Sequence, residues 1–97
     1  MKIAVGDRLG RVTKPRVKEY KQNPASDSEA CHAAAHYAKK NKQNMIVVPG
    51  NSYGSSVLHI ARETDSLKKY APGVGDKEIQ VYLVTPDGDV FHATAKA

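Results

Sequence analysis

Residues 79–95, IQVYLVTPDGDVFHATA, leave this chain little choice but an antiparallel sheet. Apolar and polar side chains alternate from Ile79 to Thr85, with Ile79, Val81 and Leu83 on one face and Tyr82 and Val84 on the other. That period of two belongs to a strand. Pro86-Asp87-Gly88 is turn chemistry, in which proline presets the first corner and glycine accepts a positive φ. The chain then returns from Asp89 to Ala95 as the second arm of a C-terminal hairpin.

A hairpin alone has too little to bury, so the rest of the core must come from elsewhere. The richest source is Asn44 to Ala61, NMIVVPGNSYGSSVLHIA. Met45 to Val48 is a short, continuous, branched run, the pattern of a strand buried on both faces. Val57 to Ala61 reads as the returning strand, and the two look like the central pair of the sheet.

The clearest helix begins at Ser26. Glu29 lies three residues on, forming a capping box, and Asp27 and Lys39–Lys40 suit the two ends of the helix dipole. Ala30, Ala33, Ala34, Tyr37 and Ala38 supply a narrow small-residue face, which lets the helix approach a sheet or a second copy of itself closely. A second, short helix is predicted after Thr64 or Asp65, with Leu67, Tyr70 and Ala71 as its apolar face and Pro72-Gly73 as its stop. At the amino terminus KIAV reads as a short strand. Gly6-Asp7 then suggests a turn into a charged extended segment, which Pro15 confines to a sheet edge or beyond.

The sum is a single α+β domain over 1–97, with a small, mainly antiparallel sheet, two helices on one face and a C-terminal β-hairpin. A strand, a helix and a buried strand in succession predict a right-handed crossover, so the nearest named order is ferredoxin-like, a split βαβ. With 97 residues, one Phe and no Trp, the core is modest, and self-association is a plausible source of added stability. No run approaches the ~20 apolar residues that span a bilayer. A lone cysteine, Cys31, and no apolar leader point to the cytoplasm.

Charge is unevenly placed. Residues 1–22 carry seven basic side chains against Asp7 and Glu19, whereas 76–97 carry two basic against four acidic. Arg8, Arg11, Lys14, Arg16 and Lys18 are therefore the candidate nucleic-acid contacts, along one extended edge, with Tyr20, Tyr37 or Tyr53 as stacking platforms. Lys39, Lys40 and Lys42 form a second cluster at the helix end. The loop PGNSYGSS offers Asn51, Ser52, Tyr53, Ser55 and Ser56 to a small anionic ligand such as a nucleotide.

Catalytic signals are thin. His32 and His36 are four apart on the helix, a spacing that suits a metal, but a site needs His59 or His92 and a carboxylate brought in from the sheet. His59-Ile60-Ala61 and His92-Ala93-Thr94 resemble in part the paired His-x-Ser/Thr motifs of the 2H phosphoesterases, whose histidines act as general acid and base. The first lacks its hydroxyl and the spacing of about thirty residues is too short, so both histidines read as sheet residues. Cys31 sits among alanines without a base and reads as an inert thiol. The expected function is a non-enzymatic binding module, without metal or cofactor, meeting a polyanion such as RNA or DNA. The alternatives are a protein-interaction or inhibitor domain that meets an acidic surface through the alanine-rich helix or a sheet edge, and a small-anion binder.

Overall fold

The structure is a computed structural model that describes residues 1–13, 26–50, 53 and 58–97. Its strands are β1 (Lys2–Arg11), β2 (Met45–Val48), β3 (His59–Arg62), β4 (Glu78–Val84) and β5 (Asp89–Lys96), with one α-helix, α1 (Asp27–Asn41), among the described residues. All pairings are antiparallel, and the strand order is β1-β5-β4-β2-β3.

The hairpin forms as its alternation requires: Ile79, Val81 and Leu83 face Ala95, Ala93 and Phe91 across the ladder. Ser26 caps α1 by accepting the Glu29 N–H at 3.2 Å, and Lys42 closes the helix in the left-handed region, its N–H donating to the Ala38 carbonyl. Every residue of β2 is buried, as a continuous apolar run demands. It is not central, however. That position belongs to β4, while β3 forms one edge and β1 the other.

Two further expectations are corrected. In place of a second helix there is a single 3-10 turn, Leu67–Lys69, and it lies on the opposite face of the sheet from α1. Leu67 is buried by it, which is all that the apolar spacing there required. The ferredoxin-like order is not found either. Three successive antiparallel pairings separate β1 from β2, so the two strands run in opposite directions and α1 closes no parallel crossover. At the amino terminus, Gly6-Asp7 does not turn the chain. β1 runs through it, and the signal is absorbed as a register irregularity between Val5 and Arg8, followed by another before Gly10.

The sheet thus carries a core on each face. On one, Ile46, Val48, Val81 and Leu83 pack beneath Leu67, Ala71 and Val74. On the other, Ala30, Ala34, Ala35 and Ala38 of α1 lie against Met45, Val47, Val84 and Val90. The first holds more of the large fully buried side chains, each contributing about 1.5–3 kcal/mol, and so carries more of the stabilisation. The alanine face contributes less per residue but brings the helix backbone close to the sheet. The sheet curls toward the first core, because the Met1 ammonium donates to the Glu63 and Asp65 carbonyls at 2.9 and 2.7 Å, joining the start of β1 to the chain leaving β3.

Candidate nucleic-acid interface

The register of the sheet assembles a basic end that no local pattern contains. Gly10 pairs Val90, Val90 pairs Val84, Val84 pairs Met45 and Met45 pairs Arg62, a single row through all five strands. Arg62 ends the row on the α1 face, while Arg11 lies beside its other end and, paired with Asp89 rather than Val90, is turned to the opposite face. The last turn of α1 sits over the middle, because the helix ends at Asn41 and the chain re-enters the sheet at Met45. Lys39, Lys40 and Lys42 are all exposed there.

Contacts on either side of that turn tie it into the row. Lys39 lines a hollow with Val12 and Thr13 and with the Pro86–Gly88 turn. Tyr37 and Asn41 line a groove of about 580 Å³ along the β3 edge, which also takes in Arg62 and Lys69. The two basic clusters, distant in sequence, therefore meet where the chain leaves β1 at Thr13. Among the described residues, Lys39, Lys40, Lys42, Arg62 and Lys69 have no carboxylate at ion-pair distance.

The charge at the β1 end is partly spent. Arg8 Nη2 and Arg11 Nε both reach Asp89 Oδ1, at 3.0 and 3.1 Å. Hydrogen bonds from Arg11 and then Arg8 hold the Asp89 carboxyl below the usual carboxylate range. A depressed carboxylate stabilises the fold above its unfolded pKa of ~3.9, and that contribution disappears as pH falls through its own lower value. In an NMR titration, Asp89 should protonate below ~3.9 in the native protein and move back up when Arg8 and Arg11 are both replaced by Gln. A native midpoint at or above the ordinary value would mean that the two guanidinium contacts do not persist in solution.

Of the sequence-derived contacts, Arg8 and Arg11 thus lie at the end of β1, bound to Asp89, while Lys14, Arg16 and Lys18 lie outside the described residues. The ligand-loop candidates Asn51, Ser52, Ser55 and Ser56 lie outside them as well. Tyr53 is described: its carbonyl accepts the Gly73 N–H at 2.8 Å and its ring lies 5.3 Å from Lys77 Nζ. It belongs to the Val48–His59 end of the β2–β3 hairpin, whereas the basic row crosses the Met45–Arg62 end.

The β3 groove was not legible beforehand. One wall is apolar, from Met45 and Ile60 with the Tyr37 ring. Around the strand edge, on the opposite face of β3, His59 and Tyr70 lean together with ring centroids 5.1 Å apart, and Lys69 Nζ is 5.6 Å from the Tyr70 centroid. Asp65 ties this wall down, accepting from the Arg62 N–H at 3.0 Å and the Tyr70 hydroxyl at 2.9 Å. The Arg62 N–H holds the Asp65 carboxyl low, while burial and the Asp65 contact push the Tyr70 hydroxyl up to about 12. Tyr70 thus stays a donor and Asp65 an acceptor through the neutral range.

The remaining histidines do not converge. His59 lies on the face of Ala61, and His92 on the other face, where it stacks on Tyr82 at 5.6 Å. A shared acid–base pair is thus excluded by strand parity. His32 is exposed on α1 and His36 sits edge-on to Tyr37, and no group of three or more His, Cys, Asp or Glu gathers for a metal among the described residues. Burial, with Asp27 nearby, pushes the Cys31 thiol up to about 11, so it is protonated and a poor nucleophile at neutral pH. No helix among the described residues is long and apolar enough to cross a membrane. Compared with known protein families, curated proteins and solved structures, the chain matches none.

Proposed function

We propose that this chain is a polyanion-binding module, for RNA or DNA, whose contact surface is the basic end of the sheet rather than the β1 edge alone. The observation that carries this reading is the strand register, which puts Arg62 in one row with the end of β1, beneath Lys39, Lys40 and Lys42. Lys39, Lys40, Lys42 and Arg62 are exposed and have no carboxylate at ion-pair distance among the described residues, so they release counterions on binding at little desolvation cost. Basic residues at 14, 16, 18 and 21 follow Thr13 in sequence and lie outside the described residues.

A sheet-edge interaction is the weaker reading. Val5 and Leu9 on the edge strand β1 are 57% and 50% exposed, yet the two register irregularities interrupt the ladder that a partner strand would extend. At the other edge, β3 offers only four residues.

Fluorescence anisotropy with a labelled oligonucleotide across a salt series tests the proposal. If Lys39, Lys40, Lys42 and Arg62 are the contacts, log K falls against log salt with a slope of roughly −2.8 to −3.6, so affinity drops roughly 50- to 150-fold between 50 and 200 mM. No binding even at low salt would remove the reading. Equal binding to polyglutamate at the same slope would reassign the partner to an acidic protein surface.

A further inference from the structure

We infer that the groove along β3 is a base pocket, which makes the preferred partner a single-stranded nucleic acid. The inference rests on the polyanion reading and adds where, and in what state, the strand is read. The basic row does not stop at bare surface. It runs through Arg62 into a concavity of about 580 Å³, within the range that holds a nucleotide-sized ligand.

The walls are suited to a planar, uncharged ring more than to a second phosphate. Met45, Ile60 and Tyr37 present an apolar and aromatic side on the α1 face of β3, and the His59–Tyr70 pair, held by the Tyr70–Asp65 hydrogen bond, lines the same concavity from the opposite face around the strand edge. Asn41 places a carboxamide at the rim, able to donate to and accept from a base edge. The positive groups, Arg62 and Lys69, stand at the same rim, where a backbone phosphate passes. Asp65 would repel a phosphate pushed deeper, and both contacts of its Oδ2 lie within the protein.

An isolated nucleotide gains little from so open a groove. A strand already held on Lys39, Lys40 and Lys42 presents its next base at high effective concentration, so the same contacts count for more. A base inside a duplex cannot enter without leaving its stack, and that cost selects the unpaired strand. Stacking of one base on an aromatic wall corresponds to a roughly 5- to 150-fold affinity difference.

Three labelled ligands of equal length are compared with the native protein at one ionic strength: a single strand, its blunt duplex, and the same single strand made abasic. The single strand should bind 5- to 150-fold more tightly than the abasic strand, and more tightly than the duplex. His59→Ala and Asn41→Ala, checked by circular dichroism for folding, should each bring the single strand toward the abasic affinity. Equal affinity for intact and abasic strands would overturn the base pocket while leaving the polyanion reading standing. Binding to none of the three would overturn the polyanion reading, and the pocket with it. The abasic comparison uses the unaltered protein, so it decides the matter even if a groove variant fails to fold.

Discussion

Replacing Lys39, Lys40 and Lys42 together by Gln should lower oligonucleotide affinity by about two orders of magnitude at 0.1 M salt, and flatten the salt slope by two to three. The size follows from counterion release. Each phosphate contact contributes ~0.7 to 0.9 to the slope, and three contacts multiplied by the one decade between 0.1 M and 1 M give the loss. Net charge falls by three in this variant, so a second must separate charge from placement. Lys77 and Lys96 supply it: Lys96 pairs with Glu78, next to Lys77, at the opposite end of β4 from Val84. Replacing Lys77 by Gln and Lys96 by Glu lowers net charge by the same three, and this variant should bind within about fivefold of native because neither cation lies in the Met45–Arg62 row. Glutamine keeps good helix propensity, so α1 should survive the first variant, losing only the modest attraction of cations for its carboxyl end. Equal losses from the two variants, measured by anisotropy at matched salt, would show that the protein binds by net charge alone and that the basic row is not an interface.

The unequal legibility of this chain has a physical pattern. What the sequence disclosed was local: the alternation about Pro86-Asp87-Gly88, the Ser26–Glu29 cap and the buried run Met45–Val48 each use a signal that lies within a few residues of its effect. What it hid was relative. Whether β1, α1 and β2 make a parallel crossover depends on how many strands intervene, and β4 and β5, the two that do, come last in the chain. Leu67, Tyr70 and Ala71 are spaced for a helix, but one 3-10 turn buries Leu67 equally well and Pro72 allows no more. The site shows the same division. Arg8 and Arg11 are conspicuous in sequence, and Asp89, some eighty residues away, turns out to hold both. Arg62, Lys69 and Asn41 were inconspicuous because they come from a strand, a turn and a helix that share no motif. Only the pairing of Met45 with Arg62 sets the groove beside the lysines of α1.

Gly88→Ala should be more destabilising than alanine at Gly6, Gly10, Gly73 or Gly75, costing about 2–5 kcal/mol and lowering the melting temperature by at least ~10 °C. Two effects add. At φ 88° the residue is in the left-handed region, where a side chain costs ~1–2 kcal/mol. A Cβ built there would also overlap the Val12 carbonyl oxygen, and that neighbour is backbone, unable to rotate away. Relief requires the end of β1 to move off the hairpin turn, which breaks the bond from the Val12 N–H to the Gly88 carbonyl, now 2.8 Å, and costs a further ~0.5–1.5 kcal/mol. Gly75 and Gly10 separate these terms. Gly75 has a positive φ of 55° but open space around it, so alanine there should cost only the backbone term. At Gly10 nothing lies within 4 Å and the backbone is extended, so alanine should be neutral within ~0.5 kcal/mol. The expected order of melting temperature is therefore Gly10→Ala, Gly75→Ala, Gly88→Ala, from highest to lowest. The clasp also has a functional side. It fixes Thr13 beside Lys39, so below its melting transition Gly88→Ala should still bind oligonucleotide less tightly than native. A variant that melts within ~3 °C of native would show that β1 is not anchored at the turn. The continuity of the basic row, which depends on that anchor, would then fail at its β1 end.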